Sequence, residues 1–379
     1  MTTRRTGLMT ALLLTAALLL CMPGLWRSVV SLGGGRVDDR LRPARQRTLT
    51  VWLLPGDMSD REVIARACAA FEKQRPGARV FLRVVSADEF AAEDAVLPDV
   101  ALFETGAIQR PEAFFLPLAD EGAEPSGQSG GTCYALPLWM HANVLSLPLG
   151  WFGQDAPQTR QPSLLASATP GPAREAQTLL DPADVPWGLL TQGGALQKPR
   201  GVALQQLLFG CPQSLRAELA AACLGRQTST PASTPAPEGL ETTLPLARGP
   251  AATPQPDLSR PTRVQTLEQH LRAVQNGEAL CACVLTPAVS DQVRYAALCR
   301  DGEDARAFVR FLREEAEAPG YLPAREASGG DAVTRRALEI YAARTLPNAF
   351  AHTRQELLSL CEDAFARLED PVMTLLRLR

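Results

Sequence analysis

Lysine is almost missing from this chain. Only Lys73 and Lys198 occur, and arginine carries nearly all of the positive charge. The formal net charge is −3 and the basic residues form no stripe, which argues against a nucleic-acid-binding protein. Histidine is scarce too: His141, His270 and His352 lie far apart, in no metal-ligand spacing. Each is therefore expected at the surface or in a hydrogen bond, not as a metal ligand or general base. The sequence carries neither a phosphate loop nor a glycine-rich dinucleotide fingerprint, so nucleotide chemistry has no motif behind it. No cofactor, no metal and no internal repeat is expected. Aromatic residues make up 6% of the chain, which leaves few rings to stack against a ligand.

What the chain does have begins at its start. Arg4 and Arg5 precede an uncharged, leucine-rich segment from Gly7 to Trp26. Its core has the length of a signal-peptide hydrophobic region, and the whole is just long enough to cross a bilayer as a helix. Three readings stand: lipidation at Cys21, cleavage near Ser31–Gly33, or an uncleaved anchor. Cys21 follows Leu18-Leu19-Leu20, where lipidation calls for a small residue. All three readings place the rest of the chain at the outer face of the membrane, held by the helix or a lipid, or secreted. Residues 1–32 are thus read as signal peptide or anchor, and 33–47 as a tether.

From Thr48 to Leu54 the residues are apolar or β-branched without polar alternation, as in a strand buried on both faces. Ser59 and Glu62 have capping-box spacing. Val63, Ile64, Ala67, Cys68 and Phe71 then follow at helical spacing, giving one apolar face. Arg75-Pro76-Gly77 ends that helix, Val80–Val85 reads as a second strand and Val100–Phe103 as a third. This β-α-β start predicts a parallel sheet with right-handed crossovers, whose ligands sit beyond the carboxyl ends of the strands. Those ends are Pro55-Gly56-Asp57 and Glu104-Thr105-Gly106. Asp99 is read as structural.

Eight cysteines follow the leader in irregular spacing. Cys68, Cys223, Cys281, Cys283 and Cys361 occupy apolar contexts and are expected to fill a core as small hydrophobes. The competing reading, a metal held by Cys281, Cys283 and Cys299, lacks a histidine pair or a second cysteine pair. Gly127-Gln128-Ser129-Gly130-Gly131 matches the nucleophile-elbow pattern literally. Its polar, glycine-rich flanks are not the strand and helix an elbow needs, so it is read as a loop.

TLTVWLLPGD, a helix ending FEKQRPGARV, then LPDVALF and YALPLWMHANVLSLP resemble, in order and spacing, the amino-terminal half of bacterial extracellular solute-binding proteins of family 1. The tail resembles the same family in NGEALCACVL, YAALCRDGEDARAFVRFL and GYLPAREA. The resemblance spans roughly residues 48–150 and 262–379. It implies an α/β, two-lobe, type 2 periplasmic-binding-protein-like fold with hinge crossovers, here preceded by the amino-terminal hydrophobic helix. Lobe 1 is expected at 48–140 plus 295–318, and lobe 2 at 141–294 plus 319–379. It further implies a monomer that captures a small solute, a carbohydrate first, and delivers it to ABC permease subunits, with the amino-terminal segment on the membrane. Two departures stand out: Ser146-Leu147-Pro148-Leu149-Gly150 replaces a Tyr-Asn-Lys-like segment, and Thr286-Pro287-Ala288 stands where relatives tend to carry an aromatic.

Residues 154–186 are rich in Pro, Ala, Ser and Thr. Thr228–Pro261 holds eight prolines and almost no core-forming residues. An insert at 226–261 is therefore expected to lack a packed structure. Order returns with helices around Leu267–Val274 and Phe308–Leu312. Thr353 and Glu356 form a second capping-box pair, and Asp370-Pro371 starts a last helix.

A cleft between two lobes holds a solute with aromatic faces and a few polar groups. The candidate ligand-binding residues are Asp57, Glu104, Thr105 and Trp139, with Trp187 and Tyr321 from the other lobe or a crossover. Glu104 leads, because a carboxylate at the end of a buried strand is costly unless it is used or paired. Asp57 also suits a plain turn, and both tryptophans also suit a core. No catalytic residue is assigned and the chain is read as a non-enzyme. The rival is a degenerate relative that keeps the fold as a surface interaction or sensory module.

Overall fold

The computed structural model describes residues 47–92, 96–118, 125–155, 178–191, 196–197, 199–223, 262–323, 331–342 and 346–377. The leader, the tether up to residue 46, the insert at 226–261 and most of 154–177 lie outside the described residues.

The organising stretch folds as the sequence predicts. Strand β1 (Arg47–Leu53) runs parallel to β3 (Val100–Glu104), with Val51 opposite Val100. Helix α1 (Arg61–Gln74) connects β1 to β2 (Ala78–Val84) and buries Val63, Ile64, Ala67, Cys68 and Phe71. β2 is an edge strand and is exposed at alternate positions, including Phe81. Ser86 caps the short helix α2 (Ala87–Phe90) by accepting from the Glu89 amide. The Ser59–Glu62 capping box does not form. Asp60 stands at the N-cap of α1 and makes no cap bond, because its carboxylate is drawn to other partners.

Gly127–Gly131 is a hairpin: β4 (Gln128–Ser129) pairs with β5 (Thr132–Cys133) around Gly130 and Gly131, both at positive φ. A two-residue turn of that kind requires φ > 0, which glycine supplies without steric cost. The serine motif is a turn signal, as its flanks implied.

The first sheet has the order β13-β6-β12-β3-β1-β2. β6 (Leu136–Met140), β3 and β12 (Val293–Leu298) are buried at every position, as expected of central strands covered on both faces. β12 runs antiparallel to both β3 and β6, so the sheet is mixed, not wholly parallel as expected. The reason is topological: β12 enters this sheet from the second one. Helix α1 covers one face with a later helix, Glu303–Glu314, where the Phe71 ring lies 5.1 Å from Phe308 and 5.5 Å from Phe311.

The second sheet is narrower, with the order β8-β11-β7-β10-β9. β7 (Asn143–Pro148) lies antiparallel to β10 (Thr262–Thr266) and β11 (Leu280–Val284); β8 (Thr178–Leu179) and β9 (Leu196–Gln197) are the edges. Alternation divides its faces. Leu145, Leu147, Cys281 and Cys283 point to a core shared with α3 (Trp187–Leu190), α4 (Val202–Gly210) and α5 (Arg216–Cys223). Val144, Ala282 and Val284 point the other way, toward α6 (Leu267–Gln275) and, past α7 (Glu303–Glu314), toward α8 (Ala332–Tyr341). α6 carries a capping box of its own, Thr266 with Gln269. All eight cysteines after the leader are buried free thiols, and no group of three potential metal ligands occurs among the described residues.

Among the described residues two crossings join the sheets: His141–Ala142 between β6 and β7, and residues 285–292 between β11 and β12; β13 (Leu322–Pro323) is the last strand of the first sheet. This is the two-lobed α/β arrangement with hinge crossovers that the sequence led us to expect. Leu322–Pro323, within the 319–379 expected with lobe 2, pairs with β6 of the first sheet. Beyond α8, the Thr353 box caps α9 (Arg354–Ala366), and Pro371 begins α10 (Pro371–Arg377). An apolar cluster runs through both lobes on the crossing side, from Trp52, Phe103 and Tyr295 to Val144 and Val284. No described helix is long and apolar enough to cross a membrane.

Candidate functional site

The carboxyl ends of β1, β3 and β6 face the crossings, and there the chain concentrates charge. Arg294, the second residue of β12, lies opposite Glu104 on one side and Trp139 on the other. Its guanidinium is 1% exposed. Nε and Nη2 donate to the two Asp60 carboxylate oxygens at 2.8 Å each, Nη2 donates to Glu104 at 2.9 Å, and Nη1 donates to the Leu54 carbonyl at 3.1 Å. The Trp139 indole donates to Asp60 at 2.9 Å. Glu104 also accepts from the backbone amides of Asp57 and Met58, at 2.8 Å each. Gly56 makes room for this: a Cβ there would sit 2.2 Å from the Glu104 carboxyl carbon. Burial pushes the Glu104 carboxyl above its ordinary pKa, against the pull of Arg294 and the two amides. The two carboxyl groups together accept six hydrogen bonds from Arg294, Trp139 and the two amides.

Beside this network, three polar side-chain atoms are buried with no hydrogen-bond partner among the described residues: Thr105 Oγ1, His141 Nδ1 and Tyr321 Oη. Thr105 follows the last residue of β3, His141 the last of β6, and Tyr321 precedes β13, so all three sit at one end of the first sheet. The Thr105 amide donates to Val293 and the His141 amide to Gln292, which pins them on either side of the start of β12. The His141 and Tyr321 rings lie 4.8 Å apart. Burial, then the positive fields of Arg294 and Arg354, push the His141 pKa down to about 3, so the ring is neutral. Burial raises the Tyr321 hydroxyl well above its usual value. Buried polar atoms are nearly always bonded, so three unpartnered ones at the same end of the first sheet are exceptions to that rule, as are Ser126 Oγ, Gln205 Oε1, Thr262 Oγ1 and His270 Nε2 elsewhere.

The residues singled out from sequence fall into three groups. Glu104 and Thr105 stand at the end of β3 and Tyr321 just before β13, at the same end of the first sheet with β6 and β12 between them. Asp57 is half-exposed and pairs with Arg354 at 2.8 Å, which goes beyond a simple turn. Trp139 and Trp187 are both buried, in the first-lobe and second-lobe cores, the other role that suited each of them from sequence. Trp139 is spent on Asp60, while Trp187 packs in the second-lobe core and donates to the Pro182 carbonyl at 2.8 Å. Sequence reading missed Arg294, Asp60, His141 and Arg354. Arg294 carried a signal, a lone charge inside the apolar run of β12. His141 was expected at the surface or bonded, and is neither at Nδ1.

No family model and no curated protein matches the chain. Solved structures resemble it at low identity. The galacto-N-biose/lacto-N-biose I-binding protein of the ABC transporter from Bifidobacterium longum is 13% identical with a TM-score of 0.47, covering 88% of this chain and 96% of that one. The GacH receptor of Streptomyces glaucescens is 13% identical at 0.43, covering 87% and 96%. Thiaminase I from Bacillus thiaminolyticus is 13% identical at 0.41, covering 86% and 100%.

Proposed function

We propose that this chain is an extracytoplasmic solute-binding protein that closes around a small neutral solute, a carbohydrate first, between its two lobes. The observation that carries the reading is the row of orphaned polar atoms, Thr105 Oγ1, His141 Nδ1 and Tyr321 Oη, at the strand ends beside the crossings. Hydroxyls and a neutral imidazole both donate and accept, which suits sugar hydroxyls better than a charged ligand. The adjoining arginines, Arg294 and Arg354, already pair with carboxylates, so they hold the site's shape, and neither of these two described cations is left to attract an anion. Because these atoms are enclosed, entry requires the lobes to part at the crossings, a hinge motion. Delivery to ABC permease subunits, a monomeric state and attachment to the membrane through residues 1–32 complete the proposal. We read the chain as a binder and not an enzyme. Ser129 lies in a hairpin, and among the described residues the close Ser–His pair, Ser146 with His270 at 2.8 Å, is sealed between β7 and α6.

A second reading has its own support: the carboxylate expected to meet the ligand, Glu104, is held within the chain by Arg294 and two amides. A degenerate member acting as a surface interaction or sensory module would show this internal wiring and bind no sugar. Thermal-shift measurement of the full chain against mono- and oligosaccharides separates the two, since a ligand bound only by the folded state raises the melting temperature. A stabilising sugar whose effect is lost in Thr105→Val and Tyr321→Phe supports capture. A panel without any shift rejects capture in favour of the second reading.

A further inference from the structure

Between α8 and α9 the chain leaves the second lobe, lies across the first, and returns. Residues 346–353 make this excursion, and their bonds show where they rest. The Ala349 carbonyl accepts from the Gly106 amide at 2.9 Å, and the Ala349 amide donates to the Ser126 carbonyl at 2.7 Å. Asn348 Nδ2 donates to the Gln128 carbonyl at 2.7 Å, and the Tyr295 hydroxyl donates to the Pro347 carbonyl at 3.3 Å. The Phe350 ring packs against Phe103 and Phe115. At Gly106 (φ +80°) a Cβ would lie 2.6 Å from the Arg354 amide, so the strand end and the returning chain touch backbone to backbone.

The return is fixed by Arg354, the first residue of α9. That helix packs on the second lobe, Leu357 and Cys361 lying with Val202 of α4 and with Val289. Arg354 Nε holds Asp57 of the first lobe at 2.8 Å, and Nη1 holds the Asp291 carboxylate at 2.9 Å and its carbonyl at 3.2 Å on the crossing into β12. One guanidinium thus ties the strand end of one lobe to a helix of the other, through a hinge segment. Asp57 is half-exposed whereas Asp291 is buried, so the bond to the first lobe is the more easily broken of the two.

We infer that residues 346–354 form a strap over the strand ends of the first lobe, and that the Arg354–Asp57 pair is its latch. This rests on the capture reading in one respect, that what the strap covers is the solute site. Opening breaks the Asp57 bond and lifts Ala349 from Gly106, while Arg354 stays on Asp291.

Hydrogen exchange of the full chain tests the latch without any ligand. Asp57→Asn removes only the bond between lobes; Arg354→Gln removes both. Exchange at the Gly106 and Ala349 amides is expected to speed up tenfold or more in each variant, with the amides of β3 unchanged. No change at Gly106 in Asp57→Asn, or acceleration that β3 shares in both variants, overturns the latch. Maltotriose, mannobiose and xylobiose, added to wild type and to Asp57→Asn, then address the capture reading separately. If none shifts the melting temperature of either protein while Gly106 exchange rises, the latch stands and capture falls. If one of them stabilises wild type while exchange is unaltered, capture stands and the latch falls.

Discussion

The two sheets bury polar groups in opposite ways. The first places full charges at its strand ends, where Arg294, Asp60 and Glu104 join the turn after β1 to β3, β6 and β12. The second uses neutral groups: Ser146 of β7 and Gln265 of β10 with His270 of α6, and Asn143, Gln206 and Tyr341 beneath the 285–292 crossing. Gln206 donates to the carbonyls of Pro287 and Val289, so it fastens that crossing to α4. Ionic partners tolerate few geometries and cost much when separated. Neutral amides cost less to lose. The first lobe is therefore the rigid frame, and the second is fastened to the hinge more gently.

That contrast is open to attack by mutation. Arg294→Met leaves two carboxylates buried without their partner, and a loss of about 3–5 kcal/mol is expected in urea unfolding. A loss near 1 kcal/mol would show that the network is not what sets the frame. Gln206→Leu strands the two crossing carbonyls and should cost about 2 kcal/mol, with faster exchange around 287–293 and none in β3. Equal loss of protection in both sheets would dissolve the distinction between frame and hinge.

Two histidines are buried, His141 at the crossing after β6 and His270 in α6, and acid reads both. Burial pushes His141 down to about 3 and His270 down to about 4, below an ordinary value of 6.5. A depressed pKa means that the unfolded chain binds the proton first. The contribution is thus complete above about pH 6.5 and is lost as pH falls toward 4 and 3. The loss is up to about 1.4 kcal/mol per pH unit for each histidine. His270→Asn should remove one share of this slope, and a melting temperature unchanged from pH 7 to 5 would refute it. Thr353→Ala deletes the cap of α9 and should cost about 1 kcal/mol, read as a lowered urea midpoint. Asp57→Asn is expected to change global stability by less than about 1 kcal/mol, because the pair it breaks is half-exposed.

Much of the fold was legible wherever neighbours in sequence decide it. The apolar run of β1, the face Val63–Phe71 and the Thr353 box are local patterns, and each formed. Ser59–Glu62 failed for a reason no local pattern contains, since Asp60 answers to Arg294, 234 positions away. Glu104 was legible as a carboxylate in need of a partner, although nothing nearby named that partner. Trp139 and Trp187 suited either a ligand platform or a core from sequence, and their indole partners, Asp60 and Pro182, lie too far along the chain or too ordinary in type for a local pattern to name.

By itself the sequence determined the β-α-β start, the main helices and a loop at Gly127–Gly131, because periodicity and turn chemistry act over a few residues; the two-lobed plan came from the resemblance of whole segments in order. Only the tertiary structure decided which charges meet, where the orphaned Thr105, His141 and Tyr321 gather, and that residues 346–354 return across the first lobe. Those outcomes depend on strand order and on which segment desolvates which charge. Burial in a shared, low-dielectric interior couples residues hundreds of positions apart, and no window along the chain contains both partners.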